Sequence, residues 1–221
     1  MNSKIPNIEE LRKRNYEELL DAAEQKKLDS RKKIYRMVKR FLDILISAVM
    51  LVIFSPVWLV IVLLVRIDSR GKALFAHTRV GKDGKLFTIY KFRTMRMDAK
   101  DQDFAPHAPD DPRVTKLGRF LRRTSLDEVP QFWNVIRGHM ALIGPRPEMP
   151  FIVETYTRVQ RARLLVKPGI TGLWQIAGRK DLPLHENVEF DLHYILNESP
   201  LLDLLILLKT FSVVLKGKGA Y

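Results

Sequence analysis

The chain of 221 residues contains no cysteine, so disulfides, thiolate nucleophiles and cysteine-bound zinc are all excluded. Its five histidines (His77, His107, His139, His185 and His193) are scattered, and no H-E-x-x-H or related spacing supports a histidine zinc centre. Glycine is scarce, with 11 residues, and the richest cluster, Lys167–Arg179, forms neither a Walker A loop nor a dinucleotide fingerprint. A secretory leader is not expected, because the main apolar run begins only at Phe41 and no small-residue cleavage site follows it. Excess acidic charge is also missing. The formal net charge is +13, which directs attention to anionic partners such as nucleic acid, acidic lipid or phosphorylated substrates.

What is present divides the chain into three parts: a charged extension over 1–30 expected to be helical, a basic juxtamembrane and apolar membrane segment over 31–66, and a catalytic domain expected over 67–221. In the extension, Ile8, Leu11, Leu19, Leu20, Ala23 and Leu28 recur at amphipathic-helix spacing, suited to a membrane surface or a partner, although a solvated helix fits as well. Arg31, Lys32, Lys33, Arg36, Lys39 and Arg40 then abut the apolar run Phe41–Val65, a juxtaposition typical of membrane segments beside anionic headgroups. At ~1.5 Å per residue that run could cross a ~30 Å hydrocarbon core. Ser55 and Pro56 interrupt it, and positive charge continues beyond it at Arg66, Arg70, Lys72, Arg79 and Lys82. Both ends are therefore expected on the cytoplasmic side, through a helix that enters, breaks at Ser55-Pro56 and returns. A single span and a buried core helix are the alternatives.

Residues 73–95 carry two β-prone runs around Gly81-Lys82-Asp83-Gly84, the pattern of a hairpin, with Lys91 and Arg93 on the face opposite Phe92. A proline-rich loop over 96–113 and a short basic helix over 114–123 lead into Arg122-Arg123-Thr124-Ser125-Leu126-Asp127-Glu128. Ser125 and Glu128 have capping-box spacing, so this stretch is expected to open a helix. The same geometry would favour ionised Asp127 and an anionic ligand at a helix N-terminus. Further on, Pro145 and Pro147 stiffen the chain around Arg146. Helices are expected over 151–165 and 186–197, the latter carrying Asp191 as either a surface acid or a site residue. Gly169, Gly172 and Gly178 suit close backbone approach to a ligand. Leu201–Leu215 reads as an amphipathic helix lying on the membrane interface or on the catalytic core. The fold expected is mainly α with a small β-hairpin (α+β), as a monotopic membrane protein.

Several motifs stand together in one order: the basic segment with its Ser55-Pro56-broken helix, Arg79-Val-Gly, Tyr90-Lys-Phe-Arg-Thr-Met95 and Leu121-Arg-Arg-Thr-Ser-Leu-Asp-Glu-Val-Pro-Gln131. Asn134-Val-Ile-Arg-Gly138, Gly144-Pro-Arg-Pro147, Lys167-Pro-Gly-Ile-Thr-Gly172, Gly178-Arg179 and Asp191 with Tyr194 complete the set. Through them the chain, over about residues 32 to 215, closely resembles the bacterial sugar transferases, the monotopic phosphoglycosyl transferases acting on polyprenyl phosphate. Relative to larger members it looks like a minimal form with an N-terminal extension. The resemblance implies transfer of a sugar 1-phosphate from a UDP-sugar to undecaprenyl phosphate with release of UMP, starting exopolysaccharide, capsule or related glycoconjugate synthesis. It implies Asp127 as nucleophile, Glu128 (with Asp127) as holder of Mg²⁺, and Lys91, Arg122, Arg146 and Arg179 as phosphate contacts. Arg123 is the weaker neighbour, and Asp191 supports the site. It further implies the bacterial inner membrane, with the catalytic domain on the cytoplasmic face, anionic lipids around it and a homodimer as a possible assembly. A non-catalytic basic scaffold at the membrane is the competing reading. A nucleic-acid binder is disfavoured by the apolar segment and the lack of a recognisable module.

Overall fold

The computed structural model describes residues 9, 11, 13, 15–27, 32–69, 71–97, 111–177 and 187–215. It is mainly helical with two small sheets. Helix α1 (Tyr16–Lys27) precedes a bent pair, α2 (Lys33–Ile53) and α3 (Ser55–Asp68), followed by the hairpin β1 (Leu74–Val80) and β2 (Leu86–Phe92). The chain continues through α4 (Lys116–Thr124), a 3₁₀ turn at Leu126–Glu128, α5 (Gln131–Ile136), β3 (Ala141–Ile143), α6 (Pro150–Glu154) and α7 (Arg158–Arg161). It closes with β4 (Gly169–Thr171), α8 (Leu173–Ala177), α9 (Glu189–Asn197) and α10 (Pro200–Leu215).

The bent pair turns by 62° at Phe54. Ser55 Oγ donates to the Val52 carbonyl at 2.7 Å, covering an acceptor freed at the break. Pro56 falls in the first turn of α3, where its missing N–H costs nothing. Among the described residues no single helix is long and apolar enough to cross a membrane, whereas this pair passes that test together. Its outer surface is apolar and uncovered: Val52 is 72%, Leu59 73% and Ile67 72% exposed. An apolar surface this continuous marks a membrane or protein contact. The polar interruptions face inward. Asp43 and Ser47 are buried where α2 packs on α5 and β3, and Asp43 takes a hydrogen bond from the Leu142 backbone.

The basic residues preceding this apolar run do not all face outward. Arg36 pairs with Glu198 at 2.7 Å and Lys39 with Asp203 at 2.9 Å. Lys32 Nζ donates to the Glu198 carbonyl at 2.7 Å. Arg40 donates to the Val135 and Ile136 carbonyls at 2.7 and 3.0 Å, neutralising the C-terminal end of α5. Tyr35 and Tyr194 converge on Asp203 at 2.7 and 2.9 Å, so α2 is latched to α9 and α10.

The main core gathers Val135, Met140, Leu142, Ile143, Leu173, Phe190, Leu192, Ile195 and Ile206, with Leu11 and Leu20 closing one side. Part of the N-terminal extension thus packs on this chain's own α9, rather than on a membrane or a separate partner. A second cluster (Ile61, Val65, Ala73, Phe92 and Leu121) joins α3, the hairpin and α4. Helix α10 packs on the core through Ile206, while Leu204, Leu208 and Phe211 stay exposed as an uncovered apolar face.

Three local expectations are corrected. Ser125 is the left-handed C-cap of α4 (φ 57°) and opens only the 3₁₀ turn that holds Asp127 and Glu128, with no side-chain capping bond and no α-helix starting there. The capping box instead forms at Thr157 and Gln160, splitting the expected helix over 151–165 into α6, α7 and a 3₁₀ turn. The glycine-rich stretch and the Arg146 corner are not simple loops, since β4 pairs in parallel with β3. A Cβ at Gly144 would meet the Lys167 carbonyl, and one at Gly169 the Gly144 amide. Those glycines, and Gly172, admit backbone to backbone rather than backbone to ligand. Gly178 lies outside the described residues.

Candidate active site

Antiparallel pairing in the hairpin sets Phe87 and Ile89 on the core, with Lys91 on the same face one step further along. Asn134 of α5 holds the other edge of β2 like a third strand. Its side chain donates to the Thr88 carbonyl at 2.6 Å and accepts from the Tyr90 amide at 3.1 Å. The strand and the Asp127-Glu128 turn are thereby brought together. Lys91 Nζ donates to Glu128 Oε1 at 2.8 Å.

A second cation reaches the same oxygen. Arg146 Nη2 donates to Glu128 Oε1 at 2.7 Å. Its backbone is held on all sides: Gly169 N–H donates to the Pro145 carbonyl at 2.8 Å, Val80 N–H to the Glu148 carbonyl at 3.0 Å, and Arg163 Nη2 to the Arg146 carbonyl at 3.2 Å. Prolines on either side restrict what little freedom remains. Arg122, at the end of α4, donates from Nε to Thr94 Oγ1 at 2.8 Å and is electrostatically coupled to Asp127.

Asp127 differs from its neighbour. Both carboxylates are only 8% exposed, yet among the described residues none hydrogen-bonds that of Asp127. Burial pushes its pKa up to about 6; Lys91 opposes the rise, Glu128 adds to it, and Arg122 and Arg146 oppose it. Burial likewise lowers Lys91 and Arg122 from their ordinary values, against the pull of the carboxylates. Arg146 moves up instead, because Glu128 outweighs its burial. The expected helix N-terminus is therefore not what favours the ionised form of Asp127; three side-chain cations do, and burial outweighs them. At neutral pH the group remains mostly ionised.

The structure thus brings together Lys91, Arg122, Asp127, Glu128 and Arg146. Arg123 is exposed on the outer face of α4, away from this group. Arg179 lies outside the described residues. Asp191 is fully inside but does not touch the pair. It forms an ion pair with Arg163 at 2.8 Å, their side chains being 3% and 2% exposed. Arg163 in turn donates to Tyr156 Oη at 2.8 Å and holds the Arg146 carbonyl. Asp191 is thus a strut behind Arg146, and burial pushes its own carboxyl up to about 6 against the pull of Arg163.

Sequence reasoning missed Arg163 and Tyr156, which carry no local motif; only the tertiary contact reveals them. Arg79 stands in one of the ordered motifs with no role legible from the sequence. Arg79 belongs to the same field, its pKa lowered to about 10 by burial, against the pull of Glu148.

Chemically, the site presents a buried carboxylate in a cationic cradle, an arrangement suited to phosphate-ester chemistry. Among the described residues no cluster of three or more metal-ligating side chains exists. A Mg²⁺ ion needs only one or two carboxylates when phosphate oxygens and water complete its shell. The Asp127-Glu128 pair, with no hydrogen bond to the Asp127 carboxylate among the described residues, fits that requirement.

The chain thus combines a buried carboxylate pair among cations with an uncovered apolar surface on its bent helix pair. Comparison with known proteins gives the family. Residues 34–217 match the bacterial sugar transferase model, and the chain belongs to that family. It is 44% identical over 196 residues to "Galactosyl transferase CpsE" of Streptococcus agalactiae, covering 83% of this chain and 43% of that protein. It is 41% identical over 199 residues to "Exopolysaccharide production protein ExoY" of Sinorhizobium fredii, covering 83% and 88%. It is 41% identical over 196 residues to "UDP-glucose:undecaprenyl-phosphate glucose-1-phosphate transferase" of Escherichia coli, covering 85% and 42%. The chain spans less than half the length of several curated relatives it matches.

Proposed function

We propose that this chain transfers a sugar 1-phosphate from a UDP-sugar to undecaprenyl phosphate at the cytoplasmic face of the bacterial inner membrane. The observation that carries the reading is Asp127: buried, without a hydrogen bond of its own among the described residues, and faced by Lys91, Arg122 and Arg146. A scaffold needs no such group, and its desolvation is unfavourable unless it is used. The reaction class named for the Escherichia coli relative agrees.

In the first step an Asp127 carboxylate oxygen attacks the sugar-side phosphorus. The bond from that phosphorus to the bridging oxygen breaks, and UMP leaves with that oxygen. In the second, an oxygen of the lipid phosphate attacks the same phosphorus and Asp127 is released as carboxylate. One nucleophile therefore serves a soluble donor and then a membrane acceptor. Lys91, Arg122 and Arg146 neutralise the non-bridging oxygens, and Arg179 is assigned to the same task from its motif. Glu128 orients Lys91 and Arg146 through one oxygen. Mg²⁺, held by Glu128 and Asp127, would supply further charge neutralisation to the phosphates. The bent helix pair lies in the membrane as a re-entrant element, keeping the site at headgroup depth.

The test is UMP release by the detergent-solubilised chain with Mg²⁺, a short polyprenyl phosphate, and UDP-glucose, UDP-galactose or UDP-N-acetylgalactosamine. Release with one donor, abolished in Asp127→Asn, is the expected result. Turnover surviving in a folded Asp127→Asn variant would replace the two-step route with direct attack by the lipid phosphate.

A further inference from the structure

Helix α4 has a surface that the site does not use. Leu121 enters the core cluster with α3 and the hairpin, and Leu117 packs against it. Gly118 lies on the Thr94 backbone so closely that a Cβ would collide with that carbonyl. These contacts fix the rotation of the helix. Lys116, Arg119, Phe120 and Arg123, spaced i, i+3, i+4 and i+7, therefore face outward, and all four are exposed. Among the described residues Lys116, Arg119 and Arg123 have no ion pair or side-chain hydrogen bond. The contrast with the basic run before the apolar segment is direct, because Lys32, Arg36, Lys39 and Arg40 are held by Glu198, Asp203 and backbone carbonyls.

The neighbours of α4 say what covers this face. It packs against both α3 and α10. Those helices expose Leu59, Leu63 and Ile67, and Leu204, Leu208 and Phe211. A cationic strip with one aromatic residue, on a helix packed against two helices with exposed apolar residues, has the composition of an interfacial helix at an anionic membrane.

We infer that the outer face of α4 docks on anionic phospholipid headgroups through Lys116, Arg119 and Arg123, with Phe120 inserted among them. The electrostatic membrane contact thus belongs to α4 and not to Lys32, Arg36, Lys39 or Arg40, which are engaged within the chain. Docking here also sets the depth of the site, since Arg122 and the Asp127 turn follow directly on the same helix. The inference rests on the reading that the bent helix pair lies in the membrane.

The chain lacks cysteine, so one introduced label site is unique. A fluorophore is placed on Phe120→Cys, or on Leu59→Cys in the bent pair, in the full chain reconstituted into nanodiscs. The nanodiscs contain phosphatidylcholine alone or mixed with phosphatidylglycerol, each doped with a headgroup-quencher lipid. The label at 59 is expected to be membrane-shielded in both. The label at 120 should be quenched strongly only with phosphatidylglycerol, and the effect should vanish in Lys116→Gln/Arg119→Gln/Arg123→Gln. Three headgroup-level cations correspond to roughly a hundredfold in the docking equilibrium. Molar salt, which shortens screening to about 3 Å, should reproduce that loss without the triple replacement. Shielding at 59 with quenching at 120 that ignores lipid charge and salt would overturn the α4 assignment alone. A water-exposed label at 59 would overturn the membrane reading, and the inference with it.

Discussion

Asp127 concentrates the physical tension of the molecule in one carboxylate. Its environment combines burial, an adjacent acid and three cations, and the net result is a pKa raised to about 6. Such a group favours the folded state while protonated, at pH below ~4, and that contribution is lost as pH rises through its folded value. Asp127→Asn should therefore stabilise the protein above neutrality by on the order of 2 kcal/mol. The gain should close in acid, as thermal unfolding across pH would reveal. The same shift makes a kinetic prediction. In the proposed route Asp127 must be ionised to attack, so UMP release should fall through an acidic limb, and lowering Mg²⁺ should move that limb up towards 6. A limb indifferent to Mg²⁺ would count against the ion being held by Asp127. Much of this site was legible residue by residue: Asp127, Glu128, Lys91, Arg122 and Arg146 were all singled out by type and motif. The distinction between Asp127 without a hydrogen bond and Glu128 clamped by two cations was not, because it depends on which side chains converge from distant strands and turns.

At the scale of elements, the corner around Arg146 is the most over-determined part of the site. Its supports are the β3–β4 pair beneath it and Arg163 behind it, itself fixed by Asp191 and Tyr156. Removing one member of a buried ion pair leaves an uncompensated charge and costs roughly 3–5 kcal/mol. Asp191→Asn should lower stability on that scale and reduce turnover. Replacing both partners, as Asp191→Leu with Arg163→Met, should recover much of the stability in thermal unfolding. Turnover should stay low, because Arg146 has lost its backbone support. Recovery of both would reduce the strut to ordinary packing. Asp191 could not be assigned from the helical pattern over 186–197, since that pattern is indifferent to what lies opposite. The turn at Ser125 teaches the same lesson in reverse. Serine followed three residues later by glutamate is a good capping signal, but the preceding helix ends there in a left-handed residue, and Glu128 is drawn to Lys91 and Arg146 instead. A β-branched residue tolerates that conformation poorly. Ser125→Val should cost about 1–2 kcal/mol in thermal unfolding, whereas Ser125→Gly should be tolerated.

For the molecule as a whole, the question is how the part that carries the site is joined to the apolar helix pair. Besides the Arg36 and Arg40 contacts, two polar junctions contribute. Arg93 reaches from the hairpin to Ser69 and Val65 at the end of α3, at 2.5 and 3.3 Å. Asp203 gathers Tyr35, Lys39 and Tyr194, tying α2 to α9 and α10. Asp203→Ala would strand three polar groups at once, with a cost of several kcal/mol. Hydrogen exchange should then accelerate over the first turns of α2 while the hairpin stays protected. Uniform loss of protection would indicate that the latch is part of the global folding unit and not a local junction.

The sequence by itself determined the local periodicities and the chemistry available. The apolar run with its Ser55-Pro56 break, the hairpin, the basic α4, the ordered motifs and the acidic pair among arginines are properties of neighbouring residues, set by covalent spacing and side-chain type. Tertiary structure decided everything that depends on long-range pairing. It turned Lys32, Arg36 and Lys39 inward onto Glu198 and Asp203, made Asp191 a support for Arg163, and used glycines 144 and 169 for strand-to-strand contact. It also left Lys116, Arg119 and Arg123 of α4 exposed. The physical reason is that burial and charge pairing are set by the groups brought opposite each residue, and their positions along the chain do not reveal which groups those are.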